Sequence, residues 1–231
     1  MKKLFAMILA LLMLLSLAAC GQKETGTETT GQDAAEATTP EAGDEAQDAA
    51  EATDSEPIVG GWTMTEGAAL SDEAKAAFEK ALEGLTGVAY QPIAQVATQV
   101  VAGTNYCILC EARVVYPDAV PYYALVYIYA DLNGGAELLN IAVLDIGDIA
   151  ETGEIKAADE APAALMGGWT VDRESSFEVE GGLMHLASQV VNGTNHCVLC
   201  EDGKLVFVYE SLDGNTEVSR TVNLDPGSLN G

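Results

Sequence analysis

Two short motifs, Cys107-Ile108-Leu109-Cys110 and Cys197-Val198-Leu199-Cys200, hold the side chains of this chain best suited to metal or redox chemistry. Paired Cys-x-x-Cys motifs make structural zinc sites when each lies in a turn that aims both sulfurs inward. The residues around these two read as strands, where positions i and i+3 face opposite sides of the sheet. That geometry works against a chelate, and against a disulfide within one motif. Four readings stay open: small apolar strand residues, disulfides joining equivalent strands, zinc, or redox chemistry. The only histidines, His185 and His196, have no matched nucleophile. No phosphate-cradling glycine loop is present, and no carboxylate pair stands out from the general acidity. No cofactor and no metal are expected, and the chain is not expected to be an enzyme.

The elements that position these residues come twice. Gln99-Val100-Val101-Ala102-Gly103-Thr104-Asn105 returns 90 positions later as Gln189-Val190-Val191-Asn192-Gly193-Thr194-Asn195. Each copy is preceded by Gly-Gly-Trp-Thr, at Gly60 and at Gly167. In the first copy Ser71 is a natural N-cap, with Asp72 and Glu73 in the first turn and Ala77, Phe78, Ala81, Leu82 and Leu85 on one helical face; Gly84 and Gly87 bracket the stop. From Val88 the period changes to that of strands, predicted at 88–101, 105–115, 122–132 and 136–145. The Ala102-Gly103 tip and Asn133-Gly134 are hairpin turns. One helix lying across an antiparallel sheet is an α+β domain.

The second copy has only 22 positions between Gly167 and Gln189, against 39 between Gly60 and Gln99. Its stretch 175–182 cannot supply the same long helix. Strands are still predicted at 183–191, 195–201, 204–211 and 216–224, with Asp202-Gly203 and Asp213-Gly214 as turns. A sheet with a bare apolar face must be covered. Tyr122 to Ala130 is apolar on both faces, which suits a strand buried on both sides. The helixless second sheet is therefore expected to pack on the exposed face of the first.

The order and spacing of the first copy resemble the cystatin family, closest to its stefin branch. Gln-x-Val-x-Gly at Gln99 to Gly103 is similar to the family's first hairpin loop, and Ile58-Val59-Gly60-Gly61 to its N-terminal glycine trunk. Tyr90-Gln91-Pro92 through Thr104-Asn105-Tyr106 resembles the strand-loop-strand around that loop. The likeness covers 58–146. It implies an inhibitor of papain-like cysteine proteases, whose trunk and two hairpin loops form an apolar wedge that fills the protease cleft. The residues so implied are Gly60, Gly61, Gln99, Val100, Val101, Ala102, Gly103, Leu132 and Asn133. The family's second loop presents a proline, whereas Leu132-Asn133-Gly134-Gly135 and Leu212-Asp213-Gly214-Asn215 keep a leucine without it. A loss of affinity rather than of mode is expected. Asn192 stands at the second crest where the first has Ala102, so inhibition is assigned chiefly to the first copy.

At the amino end Lys2 and Lys3 precede an apolar run, and Leu17-Ala18-Ala19-Cys20 closes it. This pattern reads as a bacterial lipoprotein signal over 1–19, with Cys20 carrying the lipid. A lipidated end holds a soluble domain at the membrane surface without a spanning helix. Residues 21–57 contain eleven acidic side chains against Lys23 and no aromatic residue. They cannot bury enough apolar surface to fold, so 20–57 is expected to be a tether with a reach of about 30–40 Å.

Residues 58–231 hold 25 acidic and 7 basic side chains, a net charge of −18. Nucleic acid and anionic lipid are unsuitable partners for such a surface. The expected organisation is a cystatin-like domain at 58–146, a linker at 147–166 and a degenerate repeat at 167–231. The expected localisation is the outer face of a bacterial cell membrane, touched through the lipid alone. The alternatives are a non-inhibitory cystatin-fold binding or adhesion module, or a zinc or redox protein using the Cys-x-x-Cys pairs.

Overall fold

The change of period at Val88 is where helix gives way to sheet in the computed structural model, which describes residues 60–157 and 160–229. The expected signal, Cys20, the tether and Ile58-Val59 lie outside the described residues. The described residues belong to one compact unit, Thr53–Gly231. Among them no helix is long and apolar enough to cross a membrane.

The first copy begins with a short strand, β1 (Trp62–Met64), and a helix, α1 (Asp72–Ala81). Ser71 caps α1 by accepting from the Ala74 N–H at 3.1 Å, while Asp72 and Glu73 face the positive end of the helix and Lys80 the negative end. Four longer strands follow: β2 (Val88–Val101), β3 (Gly103–Val114), β4 (Tyr122–Ala130) and β5 (Ala136–Leu144). The sheet order is β1-β2-β3-β4-β5, all antiparallel. The predicted meander thus gains a fifth strand, because the segment after Gly60-Gly61 pairs with β2. Trp62 lies opposite Gln99 in that register.

A short helix, α2 (Ile146–Thr152), and a tight turn at Met166–Gly168 lead into the second copy. Its strands are β6 (Thr170–Val171), β7 (Gly182–Val191), β8 (Gly193–Cys200), β9 (Lys204–Glu210) and β10 (Thr216–Asn223), closed by α3 (Pro226–Leu229). They form a second antiparallel sheet in the order β10-β9-β8-β7-β6. The architecture is β-rich α+β, with two antiparallel sheets and few helices.

The two faces of the first sheet have different covers. Ala74, Ala77 and Phe78 of α1 pack on Tyr106, Ile108, Cys110, Val126 and Ile128. The opposite face, with Cys107, Leu125 and Tyr127, shares one core with Leu186, Ala187, Cys197 and Phe207 of the second sheet. Tyr122 to Ile128 are consequently all buried, as a strand covered on both sides requires. Two buried phenols cross between the copies. Tyr123 Oη donates to the Leu186 carbonyl at 2.7 Å and Tyr127 Oη to the Pro226 carbonyl at 2.9 Å, so each rests its ring in the core and satisfies its polar end.

The outer face of the second sheet has no helix. The segment after Asp172 lies there instead, with the Phe177 ring stacked on His196 at a centroid distance of 3.7 Å. This is the physical consequence of the shorter spacing: the segment between β6 and β7, residues 172–181, is too short for a long helix and crosses the sheet as an extended strap.

The repeat also extends into the segments leaving each sheet. Leu144-Asp145-Ile146-Gly147 and Leu224-Asp225-Pro226-Gly227 make the same turn, each aspartate accepting from the glycine N–H at 2.9 Å. Gly147 sits against the Met166 backbone, where a Cβ would fall 2.0 Å from its carbonyl oxygen, and Gly227 sits against Trp62. Each copy's exit turn therefore packs on the other copy's entry segment. The sheets run in opposite senses, and their Gln-x-Val-x-Gly tips lie at opposite ends of the molecule.

Candidate functional site

Three segments meet at one end of the first sheet: Gly60-Gly61, the β2–β3 tip and the β4–β5 turn. The order of the strands sets their order along the edge. Gln99 is the hub. Its Nε2 donates to the Gly60 carbonyl at 2.9 Å, and its Oε1 accepts from Asn105 Nδ2 at 2.7 Å. The Gly60 N–H donates to the Val100 carbonyl at 3.1 Å, which fastens the entry segment to the tip. Tyr129 Oη donates to the Ala102 carbonyl at 2.7 Å from the next strand.

Gly103 is required twice over. Its φ is +137°, and a Cβ there would lie 2.3 Å from the Ala130 carbonyl oxygen. The β4–β5 turn is held just as firmly, because Asp131 Oδ1 accepts from the Asn133 and Gly135 N–H groups at 2.7 and 2.8 Å. Those bonds, the Gly135 one foremost, hold its carboxyl below the usual carboxylate range. Lys80 Nζ reaches from α1 to the Gly134 carbonyl at 2.7 Å.

Gln99, Gly103 and Asn105 are thus accounted for by the fold itself. Val100, Val101 and Leu132 are not: they remain 37%, 39% and 85% exposed on a backbone that their neighbours have fixed. All nine residues expected at the wedge are described, and they lie along this single edge.

The second copy repeats the arrangement. Gln189 Nε2 donates to the Gly167 carbonyl at 2.6 Å, Asn195 Nδ2 donates to Gln189 Oε1 at 2.6 Å, and Tyr209 Oη donates to the Asn192 carbonyl. Gly193 has φ +124°, with its would-be Cβ 2.3 Å from the Glu210 carbonyl oxygen.

The cysteines belong elsewhere. Cys107 faces the core between the sheets and Cys110 faces α1, as expected for strand positions three apart. Cys107, Cys110, Cys197 and Cys200 are all free thiols, so the disulfide left open by the sequence is not formed. Burial pushes the Cys107 thiol up to about 12 and raises the other three. Thiols so held stay protonated, which suits apolar packing and not nucleophilic chemistry. Among the described residues no group of three or more His, Cys, Asp and Glu side chains is arranged to hold a metal.

The histidines form a relay that the sequence did not reveal. His185 Nδ1 meets the Asp172 carbonyl, His185 Nε2 lies 3.1 Å from His196 Nδ1, and His196 Nε2 lies 3.2 Å from Glu210 Oε2. A carbonyl only accepts, so His185 carries its proton on Nδ1 and accepts from His196 through Nε2. A neutral His196 then turns a bare nitrogen toward Glu210, and that last contact becomes a hydrogen bond only when a further proton is bound. In the first copy the equivalent positions are Gln95, Tyr106 and Ala130; Gln95 instead accepts from the Ser71 N–H at 3.1 Å and so joins β2 to the start of α1. The signal for these roles was the pairwise divergence of the two repeats at those positions.

Asn105 and Tyr129 also escaped attention as supports of the tip, although Asn105 and Asn195 both close the repeated heptad. No protein-family model, no curated protein and no solved structure matches this chain.

Proposed function

We propose that this chain is a stefin-like inhibitor of papain-like cysteine proteases, held on the outer face of a bacterial cell by the lipid on Cys20. Gly60-Gly61, Val100-Val101-Ala102 and Leu132-Asn133 form the wedge. The single observation that carries this is the contrast within one loop: Gln99, Gly103 and Asn105 serve the fold, while the valines they support stay exposed. A rigid apolar projection loses little entropy on docking, so a narrow contact becomes tight. Binding rather than catalysis suits the side chains present: the buried thiols are held protonated, and both histidines are buried, His196 under the stacked Phe177 ring.

A second reading is favoured by the Gln99 network itself. If the motif is retained for folding, the module is a cystatin-fold adhesion or binding surface without inhibitory action, in keeping with the missing proline in the β4–β5 turn. Titrating papain with the mature chain separates the two. Reversible inhibition, lost on Val101→Asp while thermal stability holds, supports the inhibitor; full papain activity at micromolar protein supports the non-inhibitory module.

A further inference from the structure

The strap that crosses the second sheet is fastened at its two ends and rests on histidine between them. At its head the Asp172 N–H donates to the Leu186 carbonyl at 2.9 Å, and Arg173 Nη1 reaches Glu111 Oε2 of the first sheet at 3.4 Å. At its tail the Gly181 carbonyl accepts from the Glu201 N–H at 3.0 Å. Among the described residues no hydrogen bond joins Glu174 to Glu178 with the sheet; the Phe177 N–H bonds within the strap, to Ser175 Oγ. What holds the middle is the Phe177 ring, parallel to His196 at 3.7 Å and edge-on to His185 at 6.3 Å.

The two imidazoles beneath that ring have room for a limited number of protons. The Asp172 carbonyl keeps one on His185 Nδ1, and the 3.1 Å between His185 Nε2 and His196 Nδ1 accommodates one more. A third, on His196 Nε2, meets Glu210 Oε2 at 3.2 Å. That carboxylate and the π-face of Phe177 favour this first added charge, while burial of both rings opposes it. A fourth proton finds no acceptor: it sets two N–H groups head to head and two imidazolium charges side by side. The charged groups that face the pair are Glu210 on β9 and Asp172 at the head of the strap, since Arg173 is turned to Glu111.

We propose that the strap is an acid-released lid: charging both imidazoles breaks the His185–His196 contact, Phe177 lifts, and the outer face of the second sheet opens while the core between the sheets stays folded. The lifted segment uncovers Val198 and Val208, each 2% exposed and next to His196 in the sheet. In the first copy α1 covers the same face, over Tyr106, Ile108 and Ile128, with no histidine pair beneath it. The device therefore belongs to the second copy alone.

The test is proton NMR of the full mature chain, whose two histidines make the imidazole signals few. A cross-peak between the Phe177 and His196 rings reports the stack. Followed from about pH 8 to about pH 5, it is expected to vanish as the histidines titrate, while the cross-peak between Trp62 and Tyr127, rings 5.6 Å apart in the shared core, is retained. His185→Gln gives this position the first copy's residue and removes the facing imidazole, so the stack should survive at acid pH. Glu210→Gln withdraws the carboxylate that steadies the first added charge, and release should come at higher pH. A wild-type stack that persists across the range overturns the proposal. So does loss of both cross-peaks together, which is unfolding of the whole molecule, and so does release at the wild-type pH in either variant.

Discussion

At the scale of single residues, Gln99 and the histidines carry the sharpest consequences. Gln99→Ala removes the bonds to Gly60 and Asn105 together, and is expected to lower unfolding free energy by about 1–2 kcal/mol in urea denaturation. A Gln99 variant that loses inhibition therefore speaks of the scaffold and not of contact with protease, whereas Val101 separates the two. His196 lies between opposed influences. Burial, the larger, pushes its imidazole below the usual 6.5, while the Glu210 carboxylate and more distant Asp172 pull it up and His185 pushes it down. A histidine whose folded value lies below its unfolded value takes up protons more readily when unfolded, so its contribution is whole above about pH 6.5 and is lost as pH falls toward the folded value. Relative to His196→Gln, the wild type should lose stability as pH falls below about 6.5 and run parallel to the variant above it. A wild type that gains on the variant as pH falls below that value would mean that pairing with Glu210 prevails. Composition and repeat displayed the Gln, Gly and Asn of the tip as special; they could not show that Gln99 and Asn105 bond within the fold while the valines stay exposed, because those bonds run across the hairpin and to the entry segment at Gly60.

Among the elements, the eight longer strands and α1 were legible because each has a clear period or a strong turn beside it. Asn133-Gly134, Asp202-Gly203 and Asp213-Gly214 set registers that the paired strands obey. The short pieces were not legible. Strands β1 and β6 have three and two residues, too few to show alternation, and they exist because the Gly-Gly-Trp segments find an open edge on β2 and β7. Helix α2 is a turn stabilised by Asp145, which accepts from Gly147, Asp148 and Met166 N–H groups at 2.9, 3.3 and 3.1 Å. Much of that bonding is tertiary. At this scale the tip is brittle: Gly103→Ala introduces a side chain into the β4 backbone at a positive φ, and is expected to cost about 3 kcal/mol or more, read as a lowered thermal midpoint with collapse of the tip. Unchanged stability in that variant would show that the tip relaxes freely, and would remove the basis for calling it preformed.

For the whole molecule, the two copies act as one folding unit because neither sheet has a complete set of covers. Sheet two depends on sheet one for its inner face, and the exit turns exchange partners. A fragment of residues 167–231 is therefore expected to show no cooperative, monomeric unfolding transition; a cooperative monomer would contradict the shared core. Tyr127→Phe strips the Pro226 carbonyl of its donor inside that core, and should cost about 1–3 kcal/mol across a single transition rather than unfold the second copy separately. We propose that the exposed first edge fills a papain-like cleft, and the papain inhibition constant of the mature chain, measured beside Val101→Asp and Leu132→Asp, tests this. Tight, reversible inhibition in the wild type, weakened at least tenfold in both variants with their melting temperatures retained, is the predicted result. Equal potency in all three proteins, or none in any, would contradict it.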